Sequence, residues 1–418
     1  MTKNKSKTQK IVLITNTFPY SPGEEFLETE VKYWANRDDV KLIIMPKNKT
    51  NSLRNVPASI TIDHTLIENQ YLNKNNFKTL MKVLTSGIFY KELFINHIIH
   101  PGILKHIFIS TRDFLFYEEI LKQYIRKQQK KNILFYSYWH TEACYAIQSL
   151  KSDYTNIQII SRIHGFDLYQ ERREYNYMPL KRQYLDNIDR IYTISYEGKD
   201  YVINTYGYDQ KRIDVSRLGV EDRNIVTESN ELYTFHIVSC SHLTQVKRLD
   251  KIIESLYISA SKNLHINYIW THIGDGELYN TLFNLAKEKL DPLSNIQFEF
   301  KGNIANKDVY RFYRGNKVDA FINVSESEGA PVTIMEAMSC HIPIVAPDVG
   351  GVSSMVLDGT NGSLLSSECN VSDVVNALNN IKFFKSKSIR NNSYNIFLEK
   401  YYAKTNYESF LDSLIKSL

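Results

Sequence analysis

The chain alternates two hydrophobic rhythms. Short runs rich in β-branched residues, at Ile11–Thr15, Lys41–Met45, Ile133–Tyr138, Ile157–Ile163 and Arg190–Ser195, read as buried strands. Between them, Glu25–Asn36, Thr141–Leu150, Pro179–Asn187 and Glu197–Thr205 carry apolar residues at helical spacing. The rhythm restarts at Phe235–Ser241 and continues through Ile266–Ile273, Asn295–Lys301, Val318–Val324, Ile342–Ala346 and Gly362–Leu365. Helices are predicted there at Leu249–Lys262, Glu277–Lys289, Asn306–Asn316 and Val332–Ser339. Continuous apolar strands separated by amphipathic helices mean parallel sheets covered on both faces. The expected class is therefore α/β, with two Rossmann-like doubly wound domains facing a central cleft and ligands held at the carboxyl ends of the strands.

The polar run Glu221–Glu231 separates the two periodic regions and sets expected domains at 1–218 and 219–395. A third segment, 396–418, reads as helical with Phe397, Tyr401, Tyr402, Tyr407, Phe410 and Leu414 on its apolar side. It either completes the second domain or crosses back to the first. The stretch Phe77–Lys131 carries more helix than a simple crossover needs and mixes Lys and Arg with Phe89, Tyr90, Phe94, Phe108, Phe114, Phe116 and Tyr117. Two readings are open for it: helices packed on the first domain, or an interfacial surface that meets an anionic inner-membrane face or a lipid-linked substrate.

Composition narrows the function. With 43% hydrophobic and 23% charged residues over 418 positions, the chain is neither disordered nor membrane-spanning in character. A net charge of +5 falls short of a nucleic-acid binder, so no nucleic-acid partner is expected. The four cysteines (Cys144, Cys240, Cys340, Cys369) form no C-x-x-C pair, which argues against a disulfide scaffold or a zinc ribbon. Met1–Lys10 is polar and runs directly into Ile11–Ile14, too short for a signal-peptide core, so the expected location is cytoplasmic.

The most informative segment is Asn323–Gly351. A strand ends at Val324, a small polar loop Ser325–Ala330 turns, and a helix starts near Pro331, where a missing N–H costs nothing. Gly329 lets a ligand approach the backbone, and the helix start at Ala330–Val332 offers exposed amides and a positive dipole end to an anion. Glu328 precedes this helix and Glu336 lies about two turns into it. At ~1.5 Å per residue their separation is roughly 8–12 Å, enough to bracket a diphosphate. Carboxylates also accept well from sugar hydroxyls. The bland alternative is that Glu328 caps the helix and Glu336 is a surface charge.

Glu328-x7-Glu336, followed by Ala337-Met338, Pro343-Ile-Val-Ala and Gly350-Gly351, resembles the E-x7-E signature of glycosyltransferase family 4, whose members are retaining GT-B enzymes. The resemblance is strongest over about 235–365. It implies that Lys247 meets the donor diphosphate, a role suited to a point charge on a flexible stem. Where the family usually has arginine, five residues earlier, this chain has His242; the second phosphate cation is then either His242 or the neighbouring Arg248. Ser161-Arg-Ile-His164-Gly165-Phe-Asp167 resembles the family's first-domain histidine motif, which implies that His164 faces the donor sugar, with Asp167 shaping the acceptor side or orienting its loop. The loop Thr17–Glu30 takes the place of the family's glycine-rich loop, with a single Gly23 instead of a pair. Glu25 there is either an acceptor-orienting base or a first-turn helix acid. Gly274-Asp-Gly276 matches the family's G-D-G turn, and Gly302-Asn303-Ile304 falls where backbone groups meet the nucleobase. Together with Gly329, Ala330, Pro331, Val332 and Glu336, these form the implied donor site.

The expectation is a retaining glycosyltransferase that moves a hexose or N-acetylhexosamine from a UDP-sugar, or a GDP-sugar, to a hydroxyl of a glycan or lipid-linked glycan in bacterial surface polysaccharide synthesis. Glu328, Lys247 and His164 are its expected catalytic residues. No cofactor is expected, the nucleotide-sugar being a substrate. No metal site is expected either, because D-x-D and H-E-x-x-H are missing; the Walker A loop and the G-x-S-x-G elbow are missing too. The rival reading is a non-catalytic nucleotide-sugar or glycan-binding protein on the same fold. A nicotinamide oxidoreductase is disfavoured by the missing G-x-G-x-x-G fingerprint.

Overall fold

The computed structural model describes residues 9–72, 77–96, 100–128 and 131–416. The chain divides into two compact units, Met1–Ser216 with Leu411–Leu418, and Arg217–Phe410.

The first unit is built on a seven-stranded parallel sheet: β1 (Gln9–Thr15), β2 (Val40–Pro46), β3 (Thr61–Ile62), β4 (Ile133–Ser137), β5 (Ile157–Ile163), β6 (Arg190–Thr193) and β7 (Ile213–Val215), in spatial order β3-β2-β1-β4-β5-β6-β7. Helices cover the faces, so β1 is apolar on both sides from Ile11 to Ile14 and every one of those side chains is buried. The order reverses between β1 and β4, which makes the carboxyl ends of those two strands the topological switch point. The long helix Pro101–Lys127 covers this sheet, with Phe114, Ile120, Leu121 and Tyr124 in one buried core with Ala143, Ala146 and Ile147 of the helix Glu142–Leu150.

The second unit carries six parallel strands: β8 (Thr234–Cys240), β9 (Asn267–Ile273), β10 (Ile296–Phe300), β11 (Ala320–Ile322), β12 (Ile344–Pro347) and β13 (Gly362–Leu365), ordered β10-β9-β8-β11-β12-β13. Its switch point lies between β8 and β11. Leu249–Lys262 and Val332–Ser339 form helices over the predicted spans.

Three expectations change. The helix predicted at Pro179–Asn187 forms only over Lys181–Tyr184, because Leu180 is left-handed at φ 64° and a 3-10 turn, Leu185–Asn187, follows. The single helix expected toward the C-terminus is two, Lys387–Lys400 and Ala403–Lys416; between them Tyr402 forms a parallel bridge with Val220. The last of these helices runs from the second unit into the first at Leu411. A helix at Val371–Leu378 went unpredicted, although Asn370 and Asp373 cap it reciprocally: the Asn370 side chain accepts from Ser372 and Asp373 amides, and Asp373 accepts from the Asn370 amide.

The stretch 77–131 divides into a buried part and an exposed part. Phe89, Phe114 and Phe116 are buried, whereas the short helices Phe77–Leu84 and Gly87–Asn96 expose Phe77, Leu80, Met81, Leu84, Tyr90 and Phe94. Residues 97–99 and 129–130 of that stretch lie outside the described residues, as do 1–8 and 417–418. No helix among the described residues is long and apolar enough to cross a membrane.

Candidate functional site

In the second unit the loops leaving β8 and β11 meet at the switch point. Lys247, in the 3-10 turn Gln245–Lys247, places Nζ 2.7 Å from Oε1 of Glu328, and Asn323 Nδ2 donates to the same oxygen at 2.9 Å. The amide of Glu326 donates to the Val246 carbonyl at 2.9 Å, tying the two loops together. The N-cap position of the following helix is held by Pro331, whose side chain caps none of the first amides. A buried carboxylate held by an ammonium and an amide is a charge kept in place, able to exchange partners when an anion draws the lysine away.

Glycines seat this arrangement. A Cβ on Gly350, at φ 57°, would lie 1.9 Å from the Glu328 carbonyl, and the Gly351 amide donates to the Gly329 carbonyl at 2.8 Å. Gly274, at φ 142°, presses on the Ser241 carbonyl and donates to the Gly302 carbonyl at 2.9 Å, which draws the ends of β8, β9 and β10 together. His242 is exposed on the β8 loop, and Asn303 is exposed beside the half-buried Ile304. Arg248 is already paired with Asp250 at 3.0 Å and with Glu326, so Lys247, which faces one carboxylate, is the less neutralised cation.

Glu336 is not a surface charge. It is buried inside Val332–Ser339 and accepts from Asn306 Nδ2. Burial pushes its carboxyl up to about 7 from an ordinary 4.5, against the opposing pull of Asn306 and Arg223. Cys240, at the end of β8, feels both Glu336 and Lys247, so the two clusters are neighbours. Between pH 4.5 and about 7 the folded chain keeps a proton that the unfolded chain has released, so stability is fully present below this window and falls as pH rises through it. Glu336→Gln is expected to flatten that slope: in scanning calorimetry the melting temperature at about pH 8 should move closer to that at about pH 5. An unchanged difference would remove Glu336 as the source.

In the first unit the loops after β4 and β5 converge. Asp167 is buried and accepts from the amides of His164 and His140, each at 2.6 Å; of its two expected roles, loop orientation is the one the geometry shows. The His164 ring lies 4.7 Å from both Tyr138 and Trp139, and neither ring nitrogen has a protein partner. Burial, reinforced by Arg162, lowers its pKa well below the usual value and keeps it neutral.

The loop after β1 corrects the sequence reading. Glu24, not Glu25, is the buried acid: it accepts from the amides of Asn16 (2.9 Å), Thr17 (2.6 Å) and Phe18 (2.6 Å) and from Trp139 Nε1. These amides belong to the loop that carries Gly23, and the Glu24 carboxylate holds them. Glu25 is exposed and pairs with Arg54 at 2.7 Å. Sequence reasoning also missed Asn323, His140 and the fully buried Lys181, which donates to the Asp167 carbonyl. Trp139-His140 directly after an apolar strand was the available signal for one of them. Among the described residues no group of three or more His, Cys, Asp or Glu is placed to hold a metal ion.

Comparison with known proteins gives a consistent neighbourhood. The family described as glycosyl transferases group 1 matches residues 224–394. An uncharacterized glycosyltransferase of Methanocaldococcus jannaschii is 34% identical over 28% of this chain and 31% of its own length. The O-antigen biosynthesis glycosyltransferase WbnH of Escherichia coli is 26% identical over 35% of this chain and 41% of its own. The matched stretch thus spans only about a third to two fifths of these relatives. Among solved structures, the lipopolysaccharide outer core galactosyltransferase WaaB aligns with a TM-score of 0.70 at 16% identity, over 98% of this chain and 100% of that one. HepE of Anabaena, solved with UDP, aligns at 0.65 and 16% over the same shares. At these identities the likeness establishes the fold, which is GT-B.

Proposed function

We propose that this chain, whose residues 224–394 match the family described as glycosyl transferases group 1, is a retaining glycosyltransferase using a UDP-sugar donor. The observation that carries the reading is the Lys247–Glu328–Asn323 cluster at the switch point of the second sheet, beside the start of the Val332–Ser339 helix. When a nucleotide-diphosphate sugar binds, the Lys247 ammonium turns to the diphosphate and meets the charge that grows as the sugar–oxygen bond breaks. Glu328, released from its ion pair, accepts from sugar hydroxyls and favours the positive charge developing at the anomeric carbon. Glu336, buried with Asn306, takes the ribose end. Attack comes from the same face as departure, and the leaving diphosphate oxygen receives the acceptor proton. No protein carboxylate is assigned as a covalent nucleophile.

The acceptor is a hydroxyl of a glycan or lipid-linked glycan in surface polysaccharide synthesis, and WbnH, named for O-antigen biosynthesis, supports that context. UDP is chosen as the nucleotide because HepE was solved with it. The test is thermal shift against UDP, GDP and ADP, followed by product analysis with sugars of the best binder. A shift with UDP and transfer with retained anomeric configuration are expected; equal indifference to all three nucleotides would overturn the reading.

Peripheral membrane contact belongs to the same proposal. Phe77 and Phe94 are 77% and 78% exposed, with Lys78 and Lys91 exposed next to them, a pairing of apolar and basic groups that suits an anionic bilayer. Co-sedimentation with phosphatidylglycerol vesicles is expected, and Phe94→Ser should weaken it; failure of the wild-type chain to co-sediment would end this part.

A further inference from the structure

A cavity of about 420 Å³ opens within the first unit, where the loops after β4 and β5 meet the Pro101–Lys127 helix. Its size falls in the ~300–1,000 Å³ range of small-molecule sites. Tyr145, Phe166 and Tyr177 supply aromatic surface, and its polar lining includes His140, Glu142 and Arg173. What these groups already do decides what the cavity can take. Three carboxylates line it and all are engaged: Glu142 accepts from Ser110 Oγ at 2.8 Å, Glu174 faces His106 Nε2 at 3.1 Å, and Asp167 accepts from the His140 and His164 amides.

Two groups are not. Arg173 lies with its guanidinium carbon 3.7 Å from the centre of the Phe166 ring, and among the described residues no carboxylate pairs with it. His140 is 1% exposed, yet its Nε2 has no hydrogen-bond partner. Burial keeps that ring neutral, with Lys181 adding to the effect, so the nitrogen is an ordinary donor or acceptor for a hydroxyl. A buried polar atom left unmet costs free energy that a ligand can recover. A stacked guanidinium without a counter-charge is suited to a planar or tetrahedral anion. A metal does not fit, because no cluster of ligating side chains is present among the described residues.

We infer that this cavity binds a saccharide unit bearing an anionic group, a carboxylate or a phosphate. Arg173 reads the charge, His140 reads a hydroxyl, and Tyr145, Phe166 and Tyr177 cover the faces of the ring. The inference rests on the proposed function insofar as this unit belongs to the acceptor; the cavity's preference is measurable without turnover.

The test uses the full chain with excess UDP present, so that a nucleotide site is filled, and calorimetric titration of methyl glucuronide, glucose 1-phosphate and methyl glucoside. At least one anionic ligand is expected to bind about tenfold more tightly than methyl glucoside, the scale of one charge-assisted contact. Which of the two does so separates a carboxylate from a phosphate. Arg173→Gln should abolish the preference and Arg173→Lys should restore it in part, with melting temperatures confirming that both variants fold. His140→Phe should weaken all three ligands. Equal binding of the three, no binding of any, or a preference that survives Arg173→Gln would overturn the inference. Failure of the proposed function would show separately, as the absence of a UDP-induced thermal shift.

Discussion

Replacing Lys247 with alanine is expected to lower sugar transfer by about 10²–10³-fold, the cost typical of removing one group that meets transition-state charge. The argument starts from its surroundings. Lys247 has one carboxylate partner, Glu328, while the neighbouring Arg248 is shared between Asp250 and Glu326. An ammonium that can leave Glu328 for a diphosphate supplies charge where the leaving group develops it, and its departure frees Glu328 for the sugar. Both effects vanish with the side chain. The loss should fall mainly on kcat, with a smaller rise in the KM for donor, because the charge on the diphosphate grows as the bond breaks. Lys247→Arg should recover little, since a planar fork cannot replace a point charge held against one oxygen. Steady-state kinetics with the donor identified by thermal shift would check this. Turnover within threefold of wild type in Lys247→Ala would remove it from the chemistry. A merely structural role would instead lower the melting temperature and leave kcat per folded molecule unchanged.

How far such a site could be read from the sequence depended on whether a residue's role is local. Strands β5 and β13 and the helices Leu249–Lys262 and Val332–Ser339 fall on their predicted residues, because periodicity and turn chemistry set them within a few positions. The strands Thr61–Ile62 and Ile213–Val215, at the two edges of the first sheet, carry too few residues to show a period. The carboxylates separate in the same way. The spacing of Glu328 and Glu336 singled them out, but only the fold reveals that one is ion-paired with a residue 81 positions away and the other is buried against Asn306. Glu24 was overshadowed by Glu25 because adjacent acids on a loop look alike until the backbone turns. With Glu24 at φ 55°, its carboxylate returns to three amides of the preceding residues. The Arg173 guanidinium and the His140 Nε2 were invisible for the opposite reason. Among the described residues the first has no carboxylate and the second no hydrogen-bond partner, and such a lack is a property of the packed state.

The second large effect is on stability. Glu30→Ala is expected to cost about 3–5 kcal/mol, the range for breaking a buried ion pair by removing one member. Arg162 and Glu30 are both 0% exposed and approach to 2.6 Å; Tyr136 Oη and Trp34 Nε1 donate to the other Glu30 oxygen at 3.2 and 3.3 Å, and Arg162 donates to Ser216 Oγ at 2.8 Å. Alanine would take the Glu30 carboxylate away from a guanidinium in the sheet's interior and from the Tyr136 and Trp34 donors beside it. For a unit of this size the melting temperature should fall by about 6–20 °C, provided this unit's transition is resolved in calorimetry. Removing both charges separates the energetic role of the pair from its positional one. Glu30→Met with Arg162→Met should recover most of the stability, because the desolvation that the pair requires disappears with it. Recovery of activity should not follow. The Arg162 guanidinium lies 5.8 Å from the Tyr138 ring, which packs at 4.7 Å against His164, and its charge helps hold that imidazole neutral. In the double variant the His164 pKa should rise toward its ordinary value, measurable by NMR titration of the ring. A stable double variant with an unmoved His164 titration would reduce the pair to scaffold. A double variant as unstable as Glu30→Ala would mean that packing around Trp34 and Tyr136, and not the loss of the Glu30 charge opposite Arg162, sets the cost.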